Sequence, residues 1–265
     1  MSSASDPSNP SVEIHHRHGQ GPVVLLCEHA SHHIPADYQG LGLAPADRRS
    51  HAAWDPGARG VAVSLSERLD APLVASRISR LVYDCNRPPE AESAMPARVE
   101  VIEVPGNRGL DAAERAARVE AVYRPFCEAV TEVLAERRAR AIPSVLITIH
   151  SFTPSFHGER REVEIGILHD ADRRLADAML ALASRLGHRQ VRRNDPYGPE
   201  DGVTHSLKLH GIGQGLANVM IEVRNDLLAT VEDQQAIAEE LCRLIQPALA
   251  TLGVVASPRE GAADA

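Results

Sequence analysis

The sequence predicts an α/β fold, a mainly parallel or mixed sheet flanked by helices. Three observations carry that reading. Short apolar runs such as Val23–Cys27 and Ser144–Ile149 alternate with longer segments whose apolar residues recur every three or four positions. The runs are apolar on consecutive residues, as in strands buried on both faces. Polar, chemistry-bearing residues follow them at once, at the strand ends where open α/β sheets gather ligands.

Composition agrees with this class. The chain has 265 residues, 43% of them hydrophobic and only 3% aromatic, so its core is aliphatic. One domain over residues 21–252 is expected, between loose tails at 1–20 and 253–265. The formal net charge is −8 and no basic stripe stands out, which argues against nucleic acid or an anionic membrane as partner. Cys27, Cys85, Cys127 and Cys242 are widely spread with no CxxC pair, so a reducing cytoplasm is expected. There is no signal-peptide pattern and no apolar run long enough to span a membrane. Homo-oligomerisation is left open.

The elements follow in order. His15, His16 and His18 lie in the expected tail, where a chain without fixed geometry holds no metal. Val23–Cys27 is the first strand and delivers Glu28 and His29 to its end. His32 and His33 follow in a loop; adjacent residues rarely aim at one point, so at most one of them is functional. Residues 44–69 read as a helix in two pieces, broken at Trp54–Gly57, with Val61, Leu65 and Leu69 on one face of the second. Asp55 before Pro56 suits an N-cap. Leu73–Ala75 reads as a second strand and Ile78–Asp84 as a third, ending at Asp84, Asn86 and Arg87. Residues 88–109 form a long loop rich in proline, of the kind often used as a lid. A helix follows from Leu110 to about Ala141, with a kink expected at Pro125. Ser144–Ile149 ends at His150, and Val163–Leu168 is another strand. Ala171–Leu186 reads as an amphipathic helix. Residues 204–215 read as a short helix or turn. Asn218–Arg224 is the last strand, with Glu222 and Arg224 on one face. Thr230 and Asp233 resemble a capping box for the final helix.

The strand ends thus supply His29, Asp84–Arg87, His150, and Glu222 with Arg224. Two histidines, a carboxylate and an open fourth position make a catalytic zinc site. A separate carboxylate moves the proton, and an arginine holds an anionic group by a two-pronged hydrogen bond.

Seven stretches carry a family resemblance: CEHASHHIP (27–35), LGL (41–43), AAWDPGA (52–58), SRLVYDCNRP (79–88), ITIHSF (147–152), GVTHSLKLHG (202–211) and VMIEVRNDLL (219–228). Together they resemble the N-formylglutamate amidohydrolase family in its broad bacterial form, from about residue 22 to 250. The resemblance implies a zinc-dependent exopeptidase-like, phosphorylase/hydrolase-like architecture. It also implies zinc-dependent hydrolysis of the amide of a small, anionic N-acyl amino acid, in amino-acid catabolism. It places the metal histidines on His29 and His150 and, by analogy with related zinc amidases, the third ligand on Asp55, with Glu28 as its rival. Glu222 matches a general base, and Asn86 with Arg87 a carboxylate clamp, for which Arg224 is the alternative. His210 falls on a position that the family tends to fill with histidine, and His205 lies nearby. His32 departs from the expected small polar residue. Two other readings stay open: a metal-dependent peptide or muropeptide amidase, and a non-catalytic binding protein that keeps the fold.

Overall fold

A computed structural model describes residues 10–254, so the expectations for residues 1–9 and 255–265 lie outside the described residues. Strands β1 (Val12–His15), β2 (Val23–Cys27), β3 (Leu73–Ser76), β4 (Val145–Phe152), β5 (Ile165–Leu168), β6 (Val191–Arg193) and β7 (Asn218–Arg224) form one sheet of seven strands. Their order is β1-β3-β2-β4-β7-β5-β6. The four central strands β3, β2, β4 and β7 run parallel to their neighbours, while β1 and the β7–β5 pairing are antiparallel. The expected mixed sheet flanked by helices is therefore present.

Alternate residues of β2 separate two cores. Val23, Leu25 and Cys27 pack with helices α1 (Ala58–Leu69), α4 (Arg174–Leu180) and α5 (Val231–Thr251). Val24 and Leu26 pack on the other face with α3 (Arg124–Ala139) and the segment around residues 78–104. A strand apolar at every position is what a sheet covered on both sides requires.

Several expectations are corrected. The loose tail does not extend through residue 20: Val12 is buried, β1 pairs along β3, and Arg137 donates to the Gly19 carbonyl at 2.8 Å. Its His16 lies 2.7 Å from Asp70. The first half of the expected 44–69 helix is only a turn at Asp47–Arg49. Ile78–Asp84 is not a strand. The Ser76 hydroxyl bonds both backbone groups of Ile78, and the Ser79 hydroxyl donates to Ala53 and accepts from Leu81. Those hydroxyls satisfy backbone that a ladder would otherwise serve.

The long helix splits at Pro125 as its missing N–H demands. Helix α2 (Ala112–Arg118) runs into a π-helical turn, Val119–Tyr123, before α3. The Ala121 carbonyl, four residues before the proline, accepts from the Ser11 hydroxyl at 2.6 Å. Two small hairpins complete the chain, Arg98–Val99 with Ile102–Glu103 and Ser155–Phe156 with Glu159–Arg160. The four cysteines are free. No helix among the described residues is long and apolar enough to cross a membrane.

Candidate metal centre

The carboxyl ends of β2 and β4 bring His29 and His150 together, and the turn before α1 adds Asp55. The backbone fixes these places. His150 and Glu222 are register partners on adjacent parallel strands, so both side chains rise from the same face. Asp55 donates its N–H to the His29 carbonyl at 3.0 Å. Its side chain caps nothing; the N-cap of α1 is Gly57. The Asp55 carboxylate instead accepts from the Ser151 N–H at 3.3 Å and points at the histidines.

Three donor atoms converge: His29 Nδ1, His150 Nδ1 and Asp55 Oδ2. The two nitrogens are 3.2 Å apart, and the oxygen lies 3.2 Å from the first and 2.9 Å from the second. A tetrahedral zinc with donors at about 2.0–2.1 Å has donor-to-donor edges of roughly 3.3 Å. All three residues are buried. Among the described residues this is the one His/Cys/Asp/Glu group spaced to hold an ion.

The far nitrogens explain the tautomers. His29 Nε2 donates to Asp84 Oδ1 at 2.7 Å. His150 Nε2 faces Glu28 Oε2 at 3.2 Å, at ion-pair distance but without hydrogen-bond alignment. A proton on each far nitrogen leaves both Nδ1 lone pairs facing Asp55, and three lone pairs aimed at one point call for a cation. Glu28 therefore stands behind His150 rather than in the donor set.

Charge points the same way. Glu28, Asp55, Asp84 and Glu222 are buried around two imidazoles and one guanidinium, that of Arg80. Burial alone would raise the Asp55 and Asp84 carboxyls, but His29 and its cationic neighbours hold both below the ordinary range. Burial would lower His150, yet Glu28 and Asp55 push it well above the ordinary histidine range. Glu222 behaves differently. Burial pushes its carboxyl up to about 7, and its Oε2 is buried without a hydrogen-bond partner. The N,N,O donor set, the excess of carboxylates and the unpartnered Oε2 fit a divalent metal of the zinc type.

A cavity of about 360 Å³ opens over the cluster, and Asp55, Arg80, Asn86, Arg87, His150 and Glu222 all reach it. Arg80 was not singled out from sequence, and Asp84 was named there only among the polar residues at a strand end. Arg80 reaches Asp55 Oδ1 at 3.3 Å and Asp84 Oδ2 at 2.9 Å, holding two carboxylates that flank His29. No local signal marks Arg80, because a four-residue spacing brings side chains together on a helix and residues 78–84 form a turn. The Asn86 amide donates to the Val203 carbonyl at 2.6 Å and accepts from the Ser206 N–H at 2.9 Å, anchoring the 203–206 segment against the site.

Two expected substrate-binding residues are elsewhere. Arg224 lies outside this cavity: its guanidinium bonds Asp226 and the carbonyls of Arg161, Glu162 and Val163, so the alternative clamp is corrected. His210 sits buried in a π-helical turn and does not line the cavity, and burial lowers it to about 4. His205 bonds the Tyr123 hydroxyl at 2.8 Å. His32 and His33 are exposed, His32 against Trp54, with ring centroids 5.0 Å apart.

Comparison with known proteins gives a consistent result. No curated protein matches the chain. A solved gene product from Agrobacterium tumefaciens is 56% identical with a TM-score of 0.89, over 92% of this chain and 96% of its own. The crystal structure of an N-formylglutamate amidohydrolase from Ralstonia eutropha is 20% identical with a TM-score of 0.68, over 92% of this chain and 98% of its own, a likeness of fold. A family model described as N-formylglutamate amidohydrolase matches residues 21–229, well over half of the 265-residue chain. The chain belongs to the N-formylglutamate amidohydrolase family.

Proposed function

We propose that the chain is a zinc-dependent amidohydrolase that cleaves the amide of a small N-acyl amino acid. One observation carries this reading: three buried donors with zinc-like spacing beneath a cavity, beside a carboxylate whose Oε2 has no partner. The family supports amide hydrolysis, and the relative from Ralstonia eutropha bears the name of an N-formylglutamate amidohydrolase.

His29, Asp55 and His150 would hold the ion. A bound zinc supplies Lewis acidity, which brings the pKa of water to about 7. The chain's own residues supply the rest. Asp84 fixes the ring of His29, and Glu28 stands against that of His150. Glu222 Oε2 accepts a proton and hands it on to the leaving nitrogen, a role its pKa of about 7 suits near neutral pH. Arg87, half-buried on the cavity wall, binds the substrate carboxylate.

Metal content and deformylation of N-formyl amino acids test the reading. His150→Ala is expected to lose both metal and activity. Glu222→Gln is expected to keep the metal and lose about 10²–10⁴-fold in kcat. A metal-free preparation that is equally active would sink the proposal.

A further inference from the structure

We infer that the cavity selects an N-acyl amino acid bearing one carboxylate and an apolar or aromatic side chain, rather than a second carboxylate. The inference rests on the amidohydrolase reading for the reaction, though its binding preference stands apart from turnover.

The first argument is the charge on the wall. Three arginines reach the cavity. Arg80 is committed to Asp55 and Asp84. Arg98 donates to the Glu100 carbonyl at 2.7 Å and lies 3.7 Å from Glu103. Arg87 spends one nitrogen on the Asn86 carbonyl at 2.8 Å and forms no ion pair among the described residues. The wall therefore offers one uncommitted cation. A second substrate carboxylate would meet none, since His51 on the same wall is held 2.9 Å from Glu100, and the Glu222 carboxylate also faces the cavity. A like charge left unpaired in such a site costs affinity.

The second argument is an aromatic cluster. The whole sequence has three phenylalanines, four tyrosines and one tryptophan. Three of those eight, Phe152, Phe156 and Tyr197, line this one cavity. The Arg161 guanidinium lies 5.5, 4.7 and 5.0 Å from their ring centroids in that order, tying the rings together by cation–π contact. It also donates to the Tyr197 hydroxyl at 3.1 Å and to the Thr153 carbonyl at 3.3 Å. Phe156 nonetheless remains 37% exposed, a large apolar side chain left open at a cavity.

Its backbone is built to hold it there. Phe156 pairs with Glu159 across a two-residue turn, with His157 at φ +50° and Gly158 at φ +87°. Positive φ at both central positions is the hairpin turn whose twist matches its strands. The volume of about 360 Å³ lies within the range of sites that bury drug-sized ligands. An aromatic side chain packed on this wall gains the contacts that ring pairs favour.

The experiment compares N-formyl-L-phenylalanine with N-formyl-L-glutamate. Binding is measured by calorimetry on the zinc-loaded Glu222→Gln variant, and kcat/KM on the zinc-loaded wild-type chain. The phenylalanine compound is expected to bind at least tenfold more tightly. Phe156→Ala is expected to move that ratio toward one, and Phe156→Leu to retain part of it. Since Phe156 is partly exposed on a short hairpin, its replacement leaves the core intact. Equal or tighter binding of the glutamate compound overturns the inference, as does a ratio that Phe156→Ala leaves unchanged. Selective binding with no hydrolysis of either compound overturns the amidohydrolase reading instead.

Discussion

His29 and His150 are arranged alike: each turns Nδ1 to a shared point and sets a carboxylate at its far nitrogen. The partners differ in quality. Asp84 accepts from His29 at 2.7 Å and is itself held by Arg80 and by the Asn86 N–H at 2.9 Å. Glu28 lies 3.2 Å from His150 with neither oxygen in a hydrogen bond. Orientation of the pair therefore depends more on Asp84. Asp84→Asn keeps the shape and removes the charge that fixes the ring, and loss of such an outer partner weakens a metal site by about 10–100-fold. Zinc competition against a chromophoric chelator reads this directly, and an unchanged affinity would show that Asp84 does not orient the ligand. Glu222 belongs to a different class, because its raised pKa comes from burial without a partner. That is the environment of a group that moves a proton rather than one that anchors a fold.

Elements position these residues through their ends, and the turn before α1 is the most constrained. Gly57 sits there at φ +82°, and a Cβ added to it would lie 2.3 Å from Leu228 Cβ. Gly57→Ala is therefore expected to cost more than about 1 kcal/mol of stability. It should also weaken zinc binding, since Asp55 is two residues away. Thermal melts and zinc titration check the two effects; an alanine variant with wild-type zinc affinity would separate the turn from the site. Legibility in sequence followed the same division. The strands β2, β4 and β7 were readable because each is an apolar run ending in a polar residue. The run 78–84 is equally buried yet turns, because serine hydroxyls replace the ladder. Strand β1 is only four residues long, too short for its alternation to stand out. Locally Asp55 reads as a cap, and its place beside the histidines depends on a turn held by Leu228, far along the chain. The Arg80 bridge between Asp55 and Asp84 is likewise a product of tertiary folding.

On the scale of the whole molecule, the sheet gathers residues spread from 28 to 222 into one buried cluster whose carboxylates exceed its arginines. That excess would make a bound metal part of the stability of the fold and link it to pH. His150 is raised well above its ordinary value and Glu222 is pushed up to about 7. Both groups thus bind protons more tightly in the folded, metal-free chain than when unfolded. Their stabilising contribution is complete below their unfolded pKa values, near 6.5 and 4.5, and is lost as pH rises through the folded ones. Zinc acts with the opposite sign, because it must displace the proton on His150 and so binds more tightly as pH rises. The melting temperature of the chelated protein is therefore expected to fall between pH 6 and 8 relative to the zinc-loaded form. Over that range the gap between the two forms widens; a ligand at 100 times its Kd adds about 2.7 kcal/mol. Scanning calorimetry at fixed free zinc measures the gap. A gap that narrows with rising pH would mean that the His150 proton is not what zinc replaces, and the donor set would have to be reassigned.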